Sequence, residues 1–178
     1  MIPPTETQSS WLSREEIETY RARMPMVYVD AVPVRVDSTG VVTHVGTLLG
    51  LQPDGTISRA VVSGRVLYGE RVRDALIRHL EKDLGPVALP NVPPSPTPFT
   101  VVEYFPDASI TGFYDPRQHA VSLAFVVPIA GDCQPSQSAL DLVWLTPDES
   151  QRDDVRREMS SGQDRLVRMA LAHVGLLT

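Results

Sequence analysis

The chain has 178 residues, 42% of them hydrophobic and 21% charged, with a formal net charge of −6. That size and balance suit an ordinary globule with a sizeable core, and the negative charge argues against a nonspecific nucleic-acid surface. The single cysteine, Cys133, excludes an intrachain disulfide and a cysteine-built zinc site.

Residues 1–10 read as a frayed polar tail. Ser13-Arg-Glu-Glu16 is a capping box, so a short helix is expected over about 14–23, ending before Pro25. Residues 26–36 and 41–51 read as two strands around the turn Asp37-Ser-Thr-Gly40. A third strand over 57–62 runs into Gly64. Residues 64–69 form a loop, and a helix follows from Glu70 to Leu84. Its apolar stripe is Val72, Leu76, Leu80 and Leu84. Gly85 and Pro86 stop it, with a left-handed glycine cap expected.

Six prolines between residues 86 and 98 exclude helix and central strand there. This segment reads as a surface wrap; an interdomain linker and a proline-motif ligand are the alternatives. Strands are expected over 99–105, 119–130 and 139–145, with a long loop at 106–118 between the first two. Thr146-Pro-Asp-Glu149 is a second capping box, and helices should cover parts of 148–159 and 163–176. The longest apolar stretch, about 120–130, is strand-sized and contains Pro128, so no membrane span is expected. The N-terminus has neither the basic start nor the apolar core of a signal peptide, which makes the cytoplasm the expected compartment.

The stretch 64–85 resembles the Nudix box, a glycine loop followed by a helix rich in glutamate. Gly64, Glu70, Arg78, Leu80 and Gly85 fall in its register. The resemblance implies an α/β (α+β sandwich) Nudix fold, a mixed sheet between helices. Residues 26–150 would be the Nudix-like domain, 1–25 a tail with a short helix, and 151–178 a helical extension on the same domain. The closing Val143-Trp144-Leu145 before the capped helix is also similar to Nudix proteins, and the whole chain resembles an actinobacterial Nudix-like group.

In that family the box glutamates and the carbonyl of the first glycine, here Gly64, hold Mg²⁺ or Mn²⁺, which activates water against a diphosphate. This chain departs at three positions: His79 and Lys82 replace glutamates, and Asp83 keeps a carboxylate. Positions 79, 82 and 83 share one helical face, so its charge moves from about −3 to about zero. Mg²⁺ or Mn²⁺ binding is therefore expected to be weak, with Asp83, Glu81 and Glu103 as the remaining metal candidates. Solvent-facing roles for Glu81 and Glu103 are the plainer alternatives. Glu70 and Arg78 are expected to form the family's structural ion pair, and Asp74–Arg78 is an alternative pair on the helix.

Three readings of His79, Lys82 and Asp83 stand open: a site in which Lys82 holds phosphate while Asp83 or His79 acts as base; a pocket that binds a nucleotide-like or phosphorylated ligand without cutting it; or ordinary surface with a His79–Asp83 pair. Gly64, Arg65, Tyr114, Arg117 and His119 are the ligand-binding candidates. The activity the resemblance implies is hydrolysis of a nucleoside diphosphate linked to another group; a non-catalytic binding module is the rival. The expected partner is a small phosphorylated ligand, with neither nucleic acid nor membrane. The C-terminal helices are the candidates for a homodimer interface.

Overall fold

The computed structural model describes residues 12–135 and 141–177. It builds a seven-stranded mixed sheet with helices on both faces. This is the architecture the resemblance implies.

Helix α1 (Arg14–Arg21) carries the reciprocal Ser13–Glu16 capping box. Strand β1 (Met26–Val36) then enters the centre of the sheet. Its first half pairs antiparallel with β4 (Val62–Arg65) and its far end with β2 (Val42–Leu51). Its other edge runs parallel to β6 (Ala120–Pro128), from Met26 opposite Ala120 to Val34 opposite Pro128. Strand β3 (Ile57–Ala60) and strand β7 (Asp141–Leu145) both pair with β2, and β5 (Thr100–Tyr104) closes the far edge on β6.

The expected single strand over 57–62 is therefore two strands. The chain leaves β2 after Ala60 and joins β1 at Val62. Val61 sits at the switch and donates its N–H to the Gln163 side-chain oxygen at 3.0 Å instead of to a strand. This change of partner delivers Ser63, Gly64 and Arg65 alongside the start of β1.

Strand alternation sorts the side chains into two cores. On one face, helix α2 (Val72–Leu84) buries Ala75, Leu76, Leu80 and Leu84 against Val29, Ala31, Val62, Phe125 and Val127. Full burial of each of these leucines is worth about 2 kcal/mol. On the other face lie α5 (Asp153–Glu158) and α6 (Gln163–His173), whose Val155, Leu166, Val167 and Leu171 pack with Val32, Val34, Val102 and Tyr104. Two shorter helices, α3 (Ala108–Thr111) and α4 (Pro147–Ser150), interrupt the connections. Helix α3 lies inside the segment expected to be irregular loop, and α4 and α5 split the single helix expected over 148–159.

The proline-rich segment wraps the α2 face. Ala88 and Val92 join its core, Asn91 N–H donates to Pro128 O at 2.8 Å, and Arg73 donates to Pro93 O at 3.0 Å. Two expectations at the ends of the box helix are corrected. Glu70 precedes the helix, which starts at Val72 with Arg71 as its N-cap. Gly85 has φ 92° and ψ 162°, an extended, glycine-only conformation and not the left-handed cap. A Cβ there would press on the Gln134 carbonyl.

Candidate functional site

Two constructions meet at β4, one on each face of the sheet. Ser63 and Arg65 stand opposite Asp30 and Tyr28 of β1, and Gly64 stands opposite Val29. Side chains directly opposite each other share a face. Ser63 and Arg65 are therefore set on the α6 side, and Gly64 on the α2 side.

On the α2 side, the expected ion pair is present. The loop before the helix folds back so that Glu70 accepts from Arg78 Nε at 2.7 Å and Nη2 at 2.8 Å, and from Leu67 N–H at 2.9 Å. The Arg78 hydrogen bonds hold the Glu70 carboxyl below its ordinary range, against the opposing effect of burial. Arg78 Nη2 also donates to the Arg65 carbonyl at 3.0 Å. Asp74 pairs with Arg71 at 2.7 Å, so the alternative Asp74–Arg78 pair does not form.

His79 is only 6% exposed. Its ring lies flat against Gly64, so closely that any Cβ on Gly64 would overlap it. Its Nε2 is 3.0 Å from the Arg65 carbonyl, which can only accept, so Nε2 carries the hydrogen. Nδ1 is buried with no partner among the described residues. Burial holds the imidazole below its ordinary pKa, and neighbouring Arg78 and Lys82 act in the same direction. His79 is thus a neutral imidazole wedged between loop and helix.

Lys82 lies 3.5 Å from Asp83, so the carboxylate expected to face His79 is engaged by the ammonium next to it. Glu81 is exposed on the helix. Glu103 is exposed on β5 and lies 3.5 Å from His119, whose ring stacks on Phe105 with centroids 4.3 Å apart. Among the described residues, no group of three His, Cys, Asp or Glu side chains could hold a metal ion. A hard divalent cation wants several oxygen ligands. This face offers an uncharged nitrogen donor, an ammonium and one engaged carboxylate. The residues present do not fit the Mg²⁺ or Mn²⁺ that the box implies.

On the α6 side a cavity of about 200 Å³ opens between Tyr28, Ser63, Tyr104, the 114–118 loop, Ala120, Ser161 and Gln163. Tyr114 and Arg117, expected from the sequence, line it. His119 does not: it follows the opposite strand parity from Ala120, on the side of Glu103 and Phe105. Arg117 is held within its own loop. Its Nε and Nη2 each donate to Asp115 at 2.9 Å. Gln118 donates to the same carboxylate at 2.8 Å and accepts from Arg21 Nε at 2.9 Å, which braces the loop against α1. Burial opposes ionisation of Asp115, but the bonds from Arg117 and Gln118 outweigh it and keep its pKa below the ordinary value.

The floor of the cavity is polar. Tyr104 donates its hydroxyl to Asp30 Oδ2 at 2.9 Å. Asp30 is fully buried, and burial raises its pKa against the hydroxyls of Ser63, Ser122 and Tyr104. Neither serine completes a well-formed bond: Asp30 Oδ1 and Ser122 Oγ are buried without partners among the described residues. Burial, first, and then Asp30 push the Tyr104 phenol far above its ordinary range. Sequence reasoning missed Asp30, Tyr104 and Gln163. The one available signal was a charged residue inside the apolar run Val29-Asp30-Ala31-Val32, because a buried charge is rare without a partner.

Comparison with known proteins places this geometry. The model for the domain of unknown function DUF4916 matches residues 7–176. A search of the curated proteins finds no match. Among solved structures, the chain is similar to a Jonesia denitrificans protein described as a possible asymmetric diadenosine tetraphosphate (Ap4A) hydrolase. The two share 60% identity, the match covers 88% of this chain and 98% of that one, and the TM-score is 0.85. The fold is also that of the NUDIX domain of Shewanella oneidensis NrtR complexed with ADP ribose, at 17% identity and TM-score 0.58, covering 92% and 99% of the chains. A Caenorhabditis elegans Ap4A hydrolase shares it at 13% identity and TM-score 0.58, covering 83% and 96%.

Proposed function

From the premise that this chain belongs to the DUF4916 family and is a Nudix-superfamily fold, we propose that it recognises a nucleoside polyphosphate or a nucleoside diphosphate linked to another group. The ligand sits in the cavity on the α6 face, without a cation held by the box. The observation that carries this reading is the pairing of a built cavity with a spent box. Tyr28, Tyr104 and Tyr114 line a space of about 200 Å³, large enough for a base. On the other face the neutral His79 ring fills the space beside Gly64. Aromatic walls combined with placed polar groups, here the three tyrosines with Ser63, Gln118 and Gln163, are what small-molecule sites are made of. Arg117 is the cation that lines the cavity, and Arg65, opposite Tyr28 across the β1–β4 register, stands on the same face of the sheet.

A second reading is hydrolysis of the same ligand class, with Mg²⁺ or Mn²⁺ held weakly. The description of the 60%-identical Jonesia denitrificans protein favours it. Here His79, Lys82 and Asp83 would be the reacting face, and Glu81 or Glu103 additional metal ligands.

Titration calorimetry separates the two. ADP-ribose and diadenosine tetraphosphate are titrated into the full chain with a chelator present, then with millimolar Mg²⁺ and Mn²⁺, and product release is followed over a broad diphosphate panel. Binding that survives the chelator, with no turnover, is the expected result. Turnover that requires the metal would replace recognition by hydrolysis.

A further inference from the structure

The polar end of the cavity has a fixed hydrogen-bond polarity, set by two hydrogen bonds, one to Gln163 and one from Tyr104. Val61 N–H donates to Gln163 Oε1 at 3.0 Å. A backbone N–H can meet only the oxygen of an amide, so the Gln163 NH₂ must point the other way. Tyr104 and Gln163 line the same cavity. Tyr104 in turn commits its single hydrogen to Asp30 Oδ2 at 2.9 Å. What remains for a ligand is an N–H donor from Gln163 beside a lone-pair acceptor on Tyr104.

The rest of the cavity is close to neutral. Its one lining cation, Arg117, spends Nε and Nη2 on Asp115. The cavity therefore suits the uncharged end of a ligand better than its phosphates. The tyrosine rings supply faces for stacking.

The geometry points to Gln163 and Tyr104 as specificity-determining residues that read a nucleobase edge carrying an acceptor next to a donor, with Asp30 as the positioning residue that fixes the polarity of Tyr104. This rests on the nucleotide reading above and adds which end of the ligand enters the cavity and how it is read. A buried site with a committed donor and acceptor rejects a ligand that lacks the matching groups, because its own polar atoms are then left unpaired.

The test uses the full chain, the four common ribonucleoside diphosphates, and ribose 5-diphosphate, which lacks a base. Dissociation constants are measured for wild type, Tyr104→Phe and Gln163→Glu. The glutamate can still accept from Val61 but presents an acceptor where the NH₂ was; Tyr104→Phe removes the acceptor and keeps the ring. At least one nucleoside diphosphate should bind ten-fold or more tighter than ribose 5-diphosphate, and each variant should cut that preference about ten-fold. Circular dichroism confirms that the variants are folded, and the two act by different routes. Nucleotides that bind no tighter than ribose 5-diphosphate, or a preference intact in both variants, would overturn the edge reading and leave nucleotide recognition standing. No binding of any of the five ligands at millimolar concentration would overturn nucleotide recognition itself, and the edge reading with it.

Discussion

The ring of His79 occupies the volume that a side chain on Gly64 would need. Glycine at 64 is thus required by close approach and not by backbone conformation, since Gly64 is absent from the positive-φ residues. The two residues form one packing unit across the loop–helix boundary. Gly64→Ala should cost about 1–3 kcal/mol of stability by overpacking. In a His79→Ala background the added methyl group enters vacated space, and most of that cost should disappear. Urea unfolding of the four-member cycle measures the coupling; strictly additive effects would mean that the contact does not constrain the fold.

His79 also gives the protein an acid sensitivity near neutrality. Its folded pKa lies below the ordinary 6.5, so the unfolded chain takes up a proton first. Stability should fall as pH drops through about 6.5 toward the lower folded value. Glutamine can keep the hydrogen bond to the Arg65 carbonyl but does not titrate. The difference in melting temperature between pH 7.5 and 5.5 should therefore be smaller in His79→Gln than in wild type. His44, His119 and His173 are common to both proteins, so their contributions cancel in the comparison.

Glu70 works at the other end of the scale. Its folded pKa is lowered from 4.5 by Arg78. The stability it contributes is complete above about 4.5 and is lost as pH falls through the lower folded value. Glu70→Gln leaves Arg78 without its partner carboxylate and should cost about 1–3 kcal/mol at neutral pH. The penalty should shrink below pH 4. A constant penalty from pH 7 to 3 would show that the ion pair is not what holds the loop.

The double substitution His79→Glu with Lys82→Glu restores carboxylates at two box positions. Without metal it should be less stable than wild type, because a buried carboxylate cannot donate to the Arg65 carbonyl and lies beside Asp83. Millimolar Mg²⁺ or Mn²⁺ should raise its melting temperature by several degrees and leave wild type unchanged. An unchanged variant would mean that these positions do not converge on a cation.

Arg21 should matter to a site it does not line. It holds Gln118, and through it Asp115 and the cavity loop. Arg21→Ala is expected to weaken nucleotide binding about three- to ten-fold with little change in melting temperature. Unaltered affinity would place the rigidity of that loop in Asp115–Arg117 alone.

Local features were the ones legible in sequence. The strands, the capped helices and the apolar stripe of the box helix each depend on spacing along a short stretch, and the Glu70–Arg78 pair was legible only through the resemblance to the Nudix box. The cavity was not legible, because Tyr28, Ser63, Tyr104, Tyr114 and Gln163 come from distant segments that only the sheet topology assembles. The break at Val61 was hidden for a related reason: its N–H is satisfied by a side chain 102 positions away. One of the three readings of the box paired Asp83 with His79 by helical spacing, but the carboxylate lies 3.5 Å from Lys82 and the imidazole is buried.

Strand β1 also dictates an order of assembly. Its parallel partner β6 ends at Pro128, so the centre of the sheet joins segments about 94 positions apart. Parallel pairing over that separation has a high loop-closure cost and is slow to form. During synthesis, β1 and β2 can close their antiparallel ladder early, but the other edge of β1 stays open until β6 has emerged. A truncated or stalled chain ending before residue 120 would present an unpaired, valine-rich strand edge, the kind of surface on which nascent chains aggregate and chaperones act.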